Sequence, residues 1–290
     1  MCEMNEKIKL NQLISLDTQL PTLPTGAPYL MQALASDTMN NHQIAEVISQ
    51  FPSITARLLF LANSAWVSSL IPVENLDMAC TRLGQTIVRS VSLSLCITSA
   101  FDPSHCKAFD LERFWCSNLL VADGVSLLFP YCQKGFGLSL KTLRTAGLLH
   151  NIGLLWMSEN LTERTDIALE IANRDNSIST LSALRDTIGT DYCEVGEALG
   201  KAWAFPDVLV TILKQHANPD YNGSNGEYVA LVRYATKMVS AIFKEAEEYP
   251  GISKNCYLKL NPSTLDAIFL KLAAKQNEYR KLTRLMFSVC

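Results

Sequence analysis

The sequence predicts an all-α protein with two helical lobes. Along most of its 290 residues, apolar side chains recur at three- and four-residue spacing, as in Ile44, Val47 and Ile48, which places them on one face of a helix. The chain contains no β-type alternation of useful length, and no repeat with a period of roughly 20 to 50 residues, which disfavours a helical solenoid. Turn-forming residues at 102–105 interrupt the helical pattern, and we expect the boundary between the lobes there.

The composition excludes several classes of protein. With 48% hydrophobic residues the chain can bury a sizeable core, and with its net charge of −3 we do not expect nucleic acid as a partner. The charge-free apolar run from Thr145 to Ser158 is shorter than the roughly 20 residues that span a bilayer. The nine cysteines include no C-x-x-C pair, so we expect reduced thiols and no zinc site. We therefore expect a cytoplasmic protein without a signal peptide or a membrane span.

The first lobe is predicted to extend to about residue 102. Residues 1–18 have the pattern of a short amphipathic helix, an N-terminal extension, and two prolines make residues 20–24 extended. Helices follow, with Asn40 and Ser53 as their N-caps. Gly84 is expected to separate a helix over 75–83 from one over 85–100.

The second lobe is predicted from about residue 109. Helices are expected over 109–129, 163–174, 178–188 and 191–203, and Pro206 fits the first turn of the helix that carries His216. Two longer helices over 227–248 and 262–289 complete the segment 219–290, which we expect to pack on the second lobe.

One stretch of the second lobe places polar residues inside an apolar run. Leu148, Leu149, Ile152, Leu155 and Trp156 have helical spacing, which predicts a single helix that carries His150 and Asn151 into the core. Buried histidine and asparagine side chains both need hydrogen-bond partners.

Short motifs along residues 19–218 occur in the same order as in a known family. They are Leu20-Pro21-Thr22-Leu23-Pro24, Pro52-Ser53-Ile54-Thr55-Ala56-Arg57-Leu58-Leu59, Leu61-Ala62-Asn63-Ser64-Ala65, Leu83-Gly84, Phe114-Trp115, Gly147-Leu148-Leu149-His150-Asn151-Ile152-Gly153, Glu194-Val195-Gly196, Phe205-Pro206 and His216. With these motifs the chain resembles the HDOD domain, a family of bacterial signalling proteins related to the HD hydrolases. The resemblance implies the HD-type helical fold for the second lobe.

The resemblance also identifies where a metal would bind in a hydrolytic relative. HD hydrolases hold a catalytic metal with an adjacent His-Asp pair and further histidines, whereas this chain has His150 followed by Asn151. Other replacements at positions that resemble metal-ligand positions are Ser117, Tyr192 and Ala217, and Thr236 or its neighbours fall where a distal aspartate is expected. Only His150 and His216 remain as good ligands, and with Asn151 they supply no negative charge.

We therefore expect no catalytic residue, metal or cofactor, and a non-catalytic signalling or regulatory module that acts on signalling proteins or binds a small signal. The alternative is a metal-dependent phosphohydrolase or phosphodiesterase that holds a divalent metal with His150, Asn151 and His216, joined by Asp123 or another acid. Asn63 and Ser64 are two further candidate polar positions, with a binding or a structural role. The acidic residues of the later helices are interpreted as a solvated face, namely Asp186, Asp191, Glu194 and Glu197.

Overall fold

A computed structural model describes residues 22–288 except 37, 68–70, 133–136, 138, 247–248 and 250–260. The described residues form α-helices and two 3₁₀ turns and contain no β-strand, which confirms the all-α fold class. The helices are α1 (Ala27–Ala35), α2 (Asn41–Ser49), α3 (Pro52–Ala62), α4 (Leu76–Leu83), α5 (Gln85–Thr98), α6 (Leu111–Leu128), α7 (Leu140–Leu149), α8 (Gly153–Asn160), α9 (Thr162–Arg174), α10 (Thr180–Ile188), α11 (Tyr192–Ala202), α12 (Asp207–Gln215), α13 (Gly226–Phe243) and α14 (Pro262–Phe287).

The chain divides into two compact units, which we call unit A and unit B. Unit A contains residues 101–111 and 149–233, and unit B contains 23–100, 112–148 and the described residues from 234 onwards. Each unit is assembled from separate stretches of chain. The consecutive segments predicted from the sequence, with divisions near 102 and 219, stay a prediction, and the predicted helix over 1–18 lies outside the described residues.

In unit A, α8 lies at the centre of the packing. It packs against α9, α11 and the 3₁₀ turn Pro103–His105, while α9 packs on α10 and α11 packs on α12. The core side chains Leu155, Trp156 and Leu199 are fully buried. Unit A therefore has its own apolar core around the chain that follows His150.

In unit B, the helices α1 to α5 pack on one another and α14 packs on α3. The predicted cap at Asn40 is confirmed, because its side chain accepts a hydrogen bond from the Gln43 backbone N–H and the Gln43 side chain accepts one from the Asn40 N–H. Ser53 is not a cap, since Pro52 already occupies the first helical position of α3.

The single helix predicted around His150 is wrong. Helix α7 ends at Leu149, residues 150–152 form a turn, and α8 begins at Gly153. The turn keeps short-range backbone bonds, such as that from the Ile152 N–H to the Leu149 carbonyl oxygen at 3.0 Å. Because a tight turn advances the chain by nearly the same angle per residue as a helix, the apolar spacing continues through it.

Gly153 shows why the chain turns here. A Cβ atom at this position would lie 2.1 Å from the Tyr192 carbonyl oxygen and 2.7 Å from the Gly196 backbone nitrogen. Glycine therefore permits the start of α8 to lie directly against the backbone of α11.

Within the part of the chain that the structure describes, none of the helices combines the length and the hydropathy of a membrane-spanning segment.

Candidate functional site

Unit A brings two histidines together. His150 lies on the turn between α7 and α8, His216 immediately follows α12, and the two rings are edge-on with their centroids 5.0 Å apart. Both side chains are buried, His150 with 3% and His216 with 1% of its surface exposed. Two of the residues singled out by the sequence therefore form one buried pair.

The environment of His216 determines its protonation. Its Nδ1 lies 3.0 Å from the Ile212 carbonyl oxygen and 3.1 Å from that of Leu213, so Nδ1 carries the hydrogen and donates. Its Nε2 lies 3.9 Å from the Cys193 sulfur, where the unprotonated nitrogen accepts from the thiol. Burial lowers the pKa of His216 to about 4, although the bonds to the two carbonyl oxygens favour the charged form. At neutral pH the ring is therefore uncharged, with each nitrogen facing a protein group.

Two side chains at the start of α11 lie close to His216. The ring of Tyr192 stacks beside the imidazole with a centroid distance of 6.0 Å. Burial raises the pKa of the Tyr192 hydroxyl and that of the Cys193 thiol well above their usual values. Both groups therefore stay protonated and neutral.

Asp191 provides a buried carboxylate that the sequence analysis misplaced. Its side chain is fully buried, so it is not part of a solvated acidic face. Oδ1 accepts from the backbone N–H groups of Cys193 (2.7 Å) and Glu194 (3.1 Å) as the N-cap of α11, and Oδ2 accepts from Arg185 Nε at 2.5 Å. The position of an aspartate directly before a helix was the sequence signal for this cap.

Asn151 contributes a neutral oxygen to the region. Its Oδ1 atom is buried and has no hydrogen-bond partner among the described residues. A carboxamide oxygen can ligate a cation, but it carries no charge.

The donor atoms in this region do not fit the metal site of an HD hydrolase. They are the nitrogens of His150 and His216 and the Asn151 oxygen, while both oxygens of Asp191 accept hydrogen bonds from the protein. Among the described residues, no group of three or more His, Cys, Asp or Glu side chains is arranged to hold a metal ion. A hydrolytic divalent metal needs several imidazole and carboxylate ligands, so the missing anionic ligand is the main misfit.

Asn63 and Ser64 belong to unit B and fasten the end of α3. They follow the last helical residue, Ala62, and so do not lie inside the helix. The Asn63 Oδ1 atom accepts from the Val73 N–H at 2.7 Å, and its Nδ2 donates to the carbonyl oxygens of Leu59 and Val73. Ser64 Oγ donates to the Leu61 carbonyl oxygen. The bonds of Asn63 therefore tie the end of α3 to Val73.

Asp123, an acid considered for the alternative metal site, is an anchor within unit B. Its carboxylate bonds Arg144 (2.8 Å), Lys275 (2.6 Å) and the Tyr279 hydroxyl (2.6 Å), and so joins α6, α7 and α14. Burial favours a raised pKa, but these three groups outweigh it and lower the pKa of Asp123. The carboxylate is therefore charged, and both of its oxygens accept hydrogen bonds from these groups.

The all-α fold and the buried pair of His150 and His216 define the class: an HD-type helical protein. The family model of the HDOD domain matches residues 20–219, more than half of the chain, and the protein therefore belongs to the HDOD family.

Solved structures share the fold at low sequence identity. A "Putative signal transduction protein" from Marinobacter aquaeolei VT8 has a TM-score of 0.78 and 18% identity, covering 96% of this chain and 61% of its own. An HDOD domain protein with unknown function from Geobacter sulfurreducens has a TM-score of 0.70 and 20% identity, covering 96% of this chain and 97% of its own. A "Putative phosphohydrolase" from Shewanella amazonensis SB2B has a TM-score of 0.66 and 22% identity, covering 94% of this chain and 97% of its own.

A relative in sequence is an uncharacterized protein of Treponema pallidum (strain Nichols), 24% identical over 204 residues. The match covers 69% of this chain and 38% of the relative. The chain thus spans well under half of that protein and 61% of the Marinobacter protein.

Proposed function

We propose that this chain is a non-catalytic regulatory module that acts by binding a signalling protein or a small signal. The observation that carries the proposal is the depleted donor set around His150 and His216. The carboxylate of an adjacent His-Asp pair is replaced by the neutral Asn151, and the buried carboxylate of Asp191 is used as a helix cap with an arginine partner.

Charge explains why this set is unsuited to hydrolysis. A divalent metal activates a bound water only when the cation is firmly held with an open coordination position. His216 is neutral and bonded through Nδ1 to backbone oxygens, and the Cys193 thiol lies beside its other nitrogen. A metal at Nε2 would have to displace that thiol and would gain no negative charge from Asn151.

The similarity to the Marinobacter structure supports a role in signalling, since that protein carries the words signal transduction in its name. Membership of the HDOD family supports the same role through the resemblance described above. That the whole protein recognises a signal, and has a surface that binds it, is part of this proposal.

A second candidate is a metal-dependent phosphohydrolase, which the name of the Shewanella structure suggests. One observation favours it. The unpartnered Asn151 oxygen occurs next in sequence to His150, whose ring is adjacent to that of His216, so three neutral ligand atoms come from one region of unit A.

Metal content separates the two candidates. The purified chain is incubated with Mn²⁺, passed through a desalting column and analysed for Mn, Fe, Ni and Zn. We expect far less than one metal per chain, and an Asn151→Asp variant, which restores the carboxylate, should retain more Mn²⁺ than the wild type. About one tightly held metal per wild-type chain would overturn the proposal.

His150→Ala supplies a second discriminating measurement. Truncating a buried, hydrogen-bonded side chain leaves its partner unsatisfied, which costs about 1–3 kcal/mol, and the cavity adds to that cost. The proposed regulatory function therefore predicts a lower melting temperature for the variant. Phosphodiesterase and phosphomonoesterase assays with Mn²⁺ or Mg²⁺ are run beside thermal unfolding. Metal-dependent turnover by the wild type, lost in an equally stable variant, would establish the hydrolase instead.

A further inference from the structure

Two Asn-Gly pairs lie in one connection of unit A, between His216 and the start of α13. They are Asn222-Gly223 and Asn225-Gly226, and the sequence has no other such pair. An Asn-Gly pair is chemically reactive, because glycine has no Cβ atom to shield its backbone nitrogen from the side-chain carbonyl carbon of the asparagine before it. The two pairs have different surroundings, and the difference predicts which of them reacts.

The first pair is open to solvent. Asn222 and Gly223 are both exposed, and neither belongs to a helix. Among the described residues, none accepts a hydrogen bond from the Gly223 N–H. Attack by the Gly223 nitrogen on the neighbouring side chain therefore breaks no hydrogen bond that this nitrogen makes within the described chain.

The packing of the connection also requires glycine at position 223. A Cβ atom there would lie 2.8 Å from the Tyr221 hydroxyl oxygen. That hydroxyl donates to the Ser224 carbonyl oxygen at 2.9 Å, which holds the phenol ring over the glycine. The contact that excludes a larger side chain thus preserves the residue that makes the pair reactive.

The second pair is held by the first turn of α13. The Gly226 N–H donates to the Gly223 carbonyl oxygen at 3.1 Å, and the Asn225 carbonyl oxygen accepts from the N–H groups of Tyr228 (3.0 Å) and Val229 (3.1 Å). Gly226 is buried, and Asn225 has a left-handed backbone with φ of 61°. A ring between the asparagine side chain and the glycine nitrogen fixes the backbone between them, so this turn would have to open first.

We propose that Asn222 is a site of spontaneous deamidation. The Gly223 nitrogen forms a bond to the Asn222 side-chain carbonyl carbon, and the bond from that carbon to Nδ2 breaks. The proton of the Gly223 N–H leaves with the side-chain nitrogen as ammonia. Water, the only co-reactant, then opens the cyclic imide at either of its carbonyl carbons and gives aspartate or isoaspartate. Each event replaces a neutral carboxamide by a carboxylate at an exposed point of unit A.

The test uses the full chain, incubated at mildly alkaline pH and then digested with trypsin. Cleavage after Lys214 and Arg233 gives one peptide that contains both pairs, and its fragment masses locate each conversion of amide to acid. A sample digested at once measures the conversion that occurs during digestion. In the folded chain we expect Asn222 to react about tenfold or more faster than Asn225, because the second pair reacts only when the start of α13 opens.

Unfolding and two variants supply the controls. In concentrated urea the surroundings of the two pairs become alike, and their rates should become similar. Asn222→Gln would need a less favourable six-membered ring and should lose the fast conversion. Asn225→Asp keeps a residue type that tolerates positive φ and should leave the rate at Asn222 unchanged.

Equal rates at the two pairs in the folded chain, faster conversion at Asn225, or no conversion at Asn222 while the urea-treated chain reacts would each overturn the inference. So would a fast conversion of this peptide that persists in Asn222→Gln. None of these outcomes depends on metal content or on a signalling partner, so failure here is distinguishable from failure of the regulatory proposal.

Discussion

At the scale of single residues, the burial of a side chain was easier to predict than the hydrogen-bond partners of its polar atoms. The apolar neighbours of His150 predicted its burial, which the structure confirms. The role of Asp191 was missed, because its burial depends on Arg185 and on the close packing of α11, which sequence spacing does not show. Whether His150, Asn151 and His216 take part in function stays a prediction.

His216 makes the stability of the protein depend on pH. Because burial lowers its pKa from 6.5 to about 4, the unfolded chain binds a proton between these values and the folded chain does not. Stability is therefore expected to fall as the pH decreases through this range, by a total on the order of 3 kcal/mol. The contribution is fully present above pH 6.5 and lost once the pH reaches about 4.

Chemical denaturation at about pH 7 and about pH 5 measures this effect. In His216→Gln, the difference between the two pH values should shrink, although the variant is less stable at both. His105→Gln, which changes an exposed histidine, serves as the control and should keep the wild-type difference. If the stability difference between the two pH values is unchanged in His216→Gln, His216 is not the group that causes it.

At the scale of elements, the helices were predicted well and the break between α7 and α8 was not. The apolar residues from Leu148 to Trp156 fit a helix throughout, so local pattern alone could not reveal the turn. Its cause is a contact distant in sequence, the close approach of Gly153 to the backbone at Tyr192.

Gly153→Ala is expected to be strongly destabilising. Alanine favours a helix over glycine by about 1 kcal/mol, which would stabilise α8, but its Cβ would lie 2.1 Å from the Tyr192 carbonyl oxygen. Overpacking costs about 1–3 kcal/mol and occasionally more, and a clash with the backbone of both Tyr192 and Gly196 belongs at the upper end. Gly137→Ala is the control, since nothing lies within 4 Å of the added atom. Equal urea midpoints for the two variants would refute this role for Gly153.

The carboxylate of Asp123 fastens three helices of unit B. Asp123→Asn leaves Arg144 and Lys275 without their anionic partner, and breaking a buried ion pair costs about 3–5 kcal/mol. Lys275 is 44% exposed, so its share is reduced by solvent and the lower end of that range is expected. Since the folded pKa of Asp123 is lowered, its contribution is present above the ordinary pKa near 3.8 and is lost as the pH falls through the folded value.

Denaturation of Asp123→Asn beside Asp266→Asn, an exposed aspartate of α14, gives the matched comparison. The first variant should lose stability at neutral pH and the second should change by less than about 0.5 kcal/mol. A double-mutant cycle with Tyr279→Phe should show coupling, because the Tyr279 hydroxyl donates to the same carboxylate. Additive effects would mean that the network is not cooperative.

At the scale of the whole molecule, composition and periodicity were enough for the all-α class, whereas the assembly of units A and B from separate stretches was not accessible. Each unit includes segments distant in sequence, and the sequence carries no local signal for which helices associate. The boundary near residues 102–110 was inferred from turn formers, but this segment is held by side chains of its own unit. The Ala108 N–H donates to Asp166 at 2.6 Å, and the Asp102 N–H donates to Glu159 at 3.2 Å.

Limited proteolysis compares the 102–110 segment with the loop at 222–224, since turn-forming residues occur in both. Residues 222–224 are exposed, and turn-forming residues there can adopt the extended shape that a protease requires. A protease can cut the 102–110 segment only after its hydrogen bonds to Asp166 and Glu159 have opened, and Cys106 within the segment is buried. Of these two loops, 222–224 is therefore expected to be cut first by a broad-specificity protease, as mass spectrometry of the early fragments would show.

Asp166→Asn weakens one of the hydrogen bonds that hold the 102–110 segment and should raise cleavage there without affecting the loop at 222–224. Early cuts within the buried stretch 147–156 would contradict the packing of α8 at the centre of unit A.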